Sequence, residues 1–409
     1  MHLKILLTTV CTLIFSTIYA SEHYTCSECV SPVVTSADTL SLSPDTVPLN
    51  AAAAKRKGII ARVIEYFEDS NKPKKDKKFD FSVIGGPHYS SDTKFGIGLV
   101  AAGIYRSDTT HTDSVYMTPE SNVAIYADAT TSMFFKLGIR GTHIFKDDLA
   151  RMRYDVNFAS IASKFWGIGY ENNINNDNES RYKYLCSDTR FDYIVRVAEN
   201  LYIGPTVAFN YVNGHDFRKP WLLEGENRRT FNLGVGFTAE YDTRDCLTAA
   251  TRGWYIRLDQ RFNPRLLFNK YSFSLTEVNV SGFWPAWRGA IIAAQVHGRI
   301  TYGNTPWGLL STLGGSNNMR GYFEGRYRDK SEIDACLELR QHVWRRNGIV
   351  LWVGAGTVFP RFSAFRWSHV LPNYGIGYRW EFKKRMNVRL DLGFGRHQTG
   401  FIFSINEAF

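Results

Sequence analysis

Residues 230–241 read TFNLGVGFTAEY. Phe231, Leu233, Val235, Phe237, Ala239 and Tyr241 fall on one phase of a two-residue period; Asn232, Gly234, Gly236, Thr238 and Glu240 fall on the other. Side chains of a β-strand alternate between its two faces, so this stretch is a strand with one apolar and one polar face. The same alternation recurs in RFDYIVRV (190–197), YGIGYRWEF (374–382) and NVRLDLGF (387–394). In each, aromatic and aliphatic residues oppose Arg, Asp, Glu and Gly.

A soluble sandwich also alternates, with its polar side toward water. These strands differ in running about ten residues and in carrying aromatics near their ends. That combination marks a membrane β-barrel, with lipid outside, a polar lumen inside and aromatic girdles at both interfaces. Sixteen candidate strands can be placed between residues 79 and 409, an even number suited to a closed antiparallel barrel. Parity agrees with that placement. The connections FKDDL (145–149), AEN (198–200), PAWRG (285–289), WRRNG (344–348) and KKR (383–385) are short. Those at 161–180, 213–228, 301–333 and 359–373 are long. The expected fold is therefore all-β: a 16-stranded antiparallel transmembrane barrel over residues 79–409.

The rest of the chain frames this domain. Residues 1–20 read as a signal peptide, with Lys4 ahead of an apolar core from Ile5 to Ile18 and Ala20 before the cut. Residues 21–78 read as a linker holding a short amphipathic helix at 58–69, with Ile59, Ile60, Val63, Ile64 and Phe67 on one face. After residue 20 no apolar run is long enough for a membrane-spanning helix. An exported chain of this kind belongs in the bacterial outer membrane, facing lipid and lipopolysaccharide.

Several chemistries are not expected. The net charge of +10 is spread over turns and loops and does not form a nucleic-acid patch. Cys26 and Cys29 form a lone CxxC, a weak metal or redox signal, while Cys11, Cys186, Cys246 and Cys336 are scattered. His297, His342 and His397 belong to no Ser-His-acid spacing and read as lumen or loop residues. The expectation is a non-enzyme with no metal, no cofactor and no small-molecule substrate. The C-terminal strand, with Gly400, Phe401, Phe403, Ile405 and Phe409, reads as a barrel-closing strand whose apolar residues share one face.

One loop stands out. LGGSNNMRGYFEGRYRDK (313–330) holds the pair Gly314-Gly315 and then Met319-Arg320-Gly321-Tyr322. In this context it resembles the sixth extracellular loop of the outer-membrane assembly-factor superfamily, the bacterial surface antigen family that includes BamA and TamA. YDTRD (241–245), with Asp242, Arg244 and Asp245 ahead of Gly253, is similar to that family's turn motif. LELR (337–340) is similar to its twelfth strand and carries an acid, Glu338. WVGAGTV (352–358) is similar to its thirteenth, except that Gly354 stands where the family has Asp.

The resemblance implies that the loop folds back into the lumen and that Arg320 pairs with an acid on the wall. Glu338 leads as partner, and Asp391 or Glu381 could stand in for the acid missing at Gly354. Substituting Arg320 is expected to cost far more than substituting Arg326 or Arg328. Family members normally carry periplasmic POTRA domains, and residues 21–78 are too short for such a core, so a member without them is expected. The implied activity is insertion or translocation of outer-membrane proteins through a seam between the first strand (79–89) and the last (400–409). Assembly components or client barrels would be the partners. The alternative is a pore, or a structural barrel in a larger outer-membrane complex.

Overall fold

The computed structural model describes residues 79–90, 94–105, 121–131, 134–246, 249–266, 269–383, 386–405 and 407–409. The expected signal segment, the linker with the helix expected at 58–69, and the 107–119 connection lie outside the described residues.

The strands are β1 (Phe79–Ser90), β2 (Lys94–Tyr105), β3 (Ser121–Thr130), β4 (Phe135–Ile144), β5 (Ala150–Phe165) and β6 (Ser180–Ala198). Next come β7 (Leu201–His215), β8 (Arg229–Asp242), β9 (Gly253–Asn263), β10 (Phe273–Pro285) and β11 (Ala290–Gly303). The chain continues with β12 (Ser311–Leu313), β13 (Tyr327–Asp329), β14 (Ser331–Trp344), β15 (Asn347–Phe359), β16 (Leu371–Lys383), β17 (Met386–Gly395) and β18 (Gln398–Ile405). All but β12 and β13 join one antiparallel 16-stranded sheet, in chain order from β1 to β18. β12 and β13 pair only with each other, as a small ribbon inside the long connection from β11 to β14.

Burial is inverted relative to a soluble protein. On β8, Val235 is 48% exposed and Phe237 41%, while Thr238 and Glu240 are 0% and 1% exposed. Register extends this across strands: Phe191, Val207, Val235 and Phe262 stand side by side on β6 to β9, and all four are exposed. A contiguous apolar face of this extent needs an apolar solvent, and lipid is that solvent.

The buried face is polar and held by ion pairs that skip strands. Arg153 on β5 donates from Nη1 to Glu240 Oε2 on β8 at 2.6 Å, passing over β6 and β7. Arg257 on β9 reaches Asp192 on β6 at 3.4 Å and Asp259 on its own strand at 2.9 Å. Such contacts require the sheet to curl around its polar face. Paired, hydrogen-bonded charges are the form in which charge tolerates burial.

The turn between β8 and β9 shows why YDTRD is spaced as it is. Arg244 donates twice to Asp242, at 2.9 and 2.8 Å, and its guanidinium lies 4.0 Å from the centre of the Tyr255 ring. Asp245 accepts from the Thr251 amide at 2.8 Å and its hydroxyl at 2.6 Å. Gly253 closes the turn at φ 107°, where a Cβ would lie 2.7 Å from the Thr243 carbonyl carbon. Gly253→Ala is therefore expected to destabilise the fold by about 1–3 kcal/mol, from a strained backbone and a backbone clash. Heat-modifiable gel mobility against urea would read the shift.

One sequence expectation is corrected at the C-terminus. β18 ends at Ile405, and Phe409 leaves the exposed face that Phe401 keeps. Its ring packs 6.1 Å from that of buried Phe283 and 5.0 Å from the Arg340 guanidinium, and its main-chain oxygen accepts from Arg340 at 3.1 Å. Glu407 explains the turn inward, since its carboxylate accepts from Arg379 at 2.8 Å on the buried side. The side chains of Phe403 and Ile405 lie outside what is described.

Candidate functional site

The loop from Gly314 to Arg326 lies against the polar face of β14 to β18. Backbone geometry aims its central residue. Met319 and Gly321 flank Arg320 with φ of 45° and 108°, in the left-handed region that turns a chain sharply. Gly314 and Gly315 also sit there, at 106° and 120°, so the Gly-Gly pair lets the chain double back toward the wall.

Arg320 is fully buried. Its Nη1 donates to Asp391 Oδ2 on β17 at 2.7 Å, and its Nη2 to Glu338 on β14. Nη2 also faces Cys336 Sγ at 3.7 Å, and the guanidinium stacks 3.9 Å from the Trp352 ring centre on β15. The planar fork thus bridges three wall strands at once, which a Lys ammonium cannot do. The two acids are shared. Glu338 accepts from Arg340 at 2.8 Å, and Asp391 from Arg379 at 2.5 Å, which in turn reaches Glu407. One charge network therefore runs from the loop through β14, β16 and β17 to the C-terminal tail.

The neighbours of Arg320 are fitted as closely. Its carbonyl accepts from Asn373 on β16, whose Oδ1 takes the Trp352 Nε1 proton at 3.0 Å. A Cβ on Gly321 would lie 2.6 Å from the Gly393 carbonyl carbon, and one on Gly400 would lie 2.9 Å from Gly321 Cα. Tyr322 donates its hydroxyl proton to the Pro372 carbonyl and accepts from the Arg396 amide, both at 2.7 Å. Gly354, where the resemblance leads one to look for an acid, pairs with Cys336 across β14 and β15. A Cβ there would be 2.6 Å from the Ala335 carbonyl oxygen, so the position is closed to any larger residue.

Arg326 and Arg328 are held inside the fold as well, so the larger cost expected at Arg320 comes from its charged partners and not from burial alone. Both are buried. Arg326 donates to the Asn173 carbonyl at 3.2 Å and to Asn176 at 2.6 Å. The Arg328 amide donates to Asn173 Oδ1 at 2.8 Å, and its guanidinium to the Trp307 carbonyl at 3.2 Å. The β5–β6 loop, with its one-turn helix Tyr170–Ile174, thereby locks over the β12–β13 ribbon.

A family model, the Omp85 superfamily domain, matches residues 123–409. The chain belongs to the Omp85 superfamily. Solved structures carry the same fold. BamA from Haemophilus ducreyi lacking POTRA domains 1–3 matches with a TM-score of 0.55 at 12% identity, over 81% of this chain and 71% of that one. CdiB from Acinetobacter baumannii matches at 0.51 and CdiB from Escherichia coli at 0.52, each at 10% identity, over 81% and 80% of this chain. This chain spans 60% of either CdiB. No curated protein matches in sequence. Membership and fold together make this an outer-membrane β-barrel protein of the Omp85 class, a class associated with protein insertion.

Within this Omp85 domain, sequence reasoning missed Asn373, Trp352, Arg379 and Glu407 as parts of the site. A signal existed for the glycines. Gly393 and Gly395 repeat on the polar phase of β17, where a row of missing side chains marks an approaching backbone.

Asp329, at the end of the ribbon, offers a pH test. Burial pushes its carboxyl up to about 6. A raised carboxyl favours the protonated form in the fold. The associated stability is present below the ordinary value of 3.8 and is lost as pH rises through about 6. Asp329→Asn keeps the acceptor for the Lys330 amide, now at 2.7 Å, without the charge. It is expected to raise the thermal midpoint at pH 7.5 and to leave it unchanged near pH 3.5; urea-shifted melting at both values would check this.

Proposed function

We propose that this chain closes into a sixteen-stranded outer-membrane barrel through β1 and β18, and that it assists insertion or translocation of other outer-membrane proteins at that seam. The observation that carries this reading is where the charge network ends. Arg320 ties the in-folded loop to β14, β15 and β17, and through Arg379 and Glu407 to the tail that follows β18. The loop thereby braces the wall beside one edge of the sheet.

Sheet edges are templates for further strands, so an edge held firm but weakly closed can pair with an incoming client strand. No bond-making chemistry is called for; the client's own folding supplies the free energy. The strand-skipping ion pairs and the buried loop fill the interior, and this weighs against an open solute pore. On this reading Gly314, Gly315, Arg320, Gly321 and Tyr322 form the latch, Glu338 and Asp391 receive it, and the β18 edge meets the client.

Depletion of the chain in its native host, with quantitative outer-membrane proteomics, tests the proposal. A selective fall of other barrels at constant transcript level is expected, together with photo-crosslinks from Thr399 on β18 to those same barrels. An unchanged outer-membrane proteome would overturn it. Large steady conductance in planar bilayers would favour the pore instead.

A further inference from the structure

A second cluster lies on the polar face, apart from the Arg320 network. His297 on β11 stands directly across from Asp334 on β14 in the sheet register, with Glu332 two residues along on the same face. His297 Nδ1 is 3.1 Å from Glu332 Oε1 and 3.1 Å from Asp334 Oδ2. One donor atom from each of the three residues falls within 4.8 Å of the others. Four ligands at zinc bond lengths lie roughly 3.4 Å apart, so the spacing suits a tetrahedral ion after small adjustment.

Three further observations point to a ligand. Glu332 is 4% exposed, and the second oxygen of the carboxylate that faces His297 is buried without a hydrogen-bond partner. Among the described residues, neither Glu332 nor Asp334 forms an ion pair with Lys or Arg: Arg299 stands across from Glu332 in the register but donates to the Leu309 carbonyl at 3.4 Å, so the imidazole is the cation in direct contact with both carboxylates. Finally, the other ring nitrogen, Nε2, points at Glu277 Oε1 on β10 at 3.6 Å. A carboxylate behind the far nitrogen is the arrangement that fixes a metal-bound histidine in its tautomer. A polar cavity of about 210 Å³ borders His297 and Glu277, with Arg190 and Arg257 also in its lining, so water reaches the Glu277 side of the imidazole.

We propose that His297, Glu332 and Asp334 bind one divalent transition-metal ion of the zinc class, with Glu277 orienting His297 and water completing the shell. The site rests on geometry alone and does not depend on the insertion reading. It adjoins the latch loop, because Asn318 donates to Asp334 Oδ2 at 3.4 Å only two residues before Arg320. A bound ion would stiffen Asp334 and with it the foot of the loop.

The test uses the full chain extracted from outer membrane in detergent, stripped with chelator and titrated with Co2+ and then Zn2+. One equivalent of Co2+ with tetrahedral visible bands, displaced by Zn2+, is expected. Cys26→Ser/Cys29→Ser should retain it. His297→Gln and, separately, Glu332→Gln should each weaken that equivalent at least a hundredfold while heat-modifiable mobility shows the barrel folded. If His297→Gln fails to fold, Glu332→Gln decides. A folded chain that binds no Co2+ or Zn2+, or one whose binding survives the variants, would overturn the site. His297 would then be a protonated imidazole bridging the acids, and His297→Lys, not metal, would support the fold.

Discussion

Arg320→Ala is expected to cost about 3–5 kcal/mol of barrel stability, the range for removing one partner of a buried ion pair. The site explains the size. The variant loses a 2.7 Å charge-assisted bond to Asp391, the bond to Glu338 and the stack on Trp352. Each charged hydrogen bond is worth about 1.5–3 kcal/mol, and a desolvated cation–π contact about 2. The loss is held below the sum because Glu338 keeps Arg340 and Asp391 keeps Arg379. Roughly a thousandfold shift in the folded ratio follows from about 4 kcal/mol. Arg320→Lys keeps the charge but cannot span both acids, so it should recover less than half. Arg326→Ala, which loses two bonds to the β5–β6 loop, should fall between Arg320→Ala and the exposed-turn control Arg345→Ala. Urea titrations of heat-modifiable mobility rank the four. Equal small effects for Arg320→Ala and Arg345→Ala would remove the latch from the account.

Gly393→Ala is expected to lift the loop without touching a charge. A Cβ there would lie 2.6 Å from the Arg320 carbonyl carbon and 2.9 Å from the Gly321 nitrogen. Both are backbone atoms, so rotamer changes give no relief. β17 is paired on both sides, to β16 and to β18, and cannot retreat. The loop must give instead, drawing Arg320 away from Asp391. The expected signature is trypsin cleavage after Arg326 or Arg328 in folded, detergent-solubilised protein, at least tenfold faster than in the parent chain. An unchanged cleavage pattern would mean that the wall yields and the loop stays seated.

The alternation was legible because side-chain direction in a strand is local: each residue declares its face regardless of what lies across the sheet. Val235, Phe237, Thr238 and Glu240 sit where TFNLGVGFTAEY puts them. The loop motif could be read through resemblance. Its second acid could not be chosen, since Asp391 and Glu381 lie on neighbouring strands with the same alternation. Register decides between them. Asp391 lies opposite Gly377, whose bare backbone leaves room for the carboxylate and for Arg379. The burial of Arg326 was equally hidden, because the Asn173 and Asn176 groups that receive it are about 150 residues away in the chain. The C-terminal turn inward hinged on Glu407 finding Arg379, again a partner on another strand.

The strand-skipping ion pairs have a kinetic meaning. Each strand of the sheet pairs with the next strand of that sheet in chain order, so hairpins can add one after another without distant strands having to meet first. Arg153 and Glu240 stand 87 residues apart and meet only after β6 and β7 are already in place between them. A one-residue slip of β8 would send Glu240 out toward lipid and break both of its bonds to Arg153. The interior charges therefore act as a proofreading step, satisfied by a correctly registered set of strands and penalising any other before the last strand is laid down.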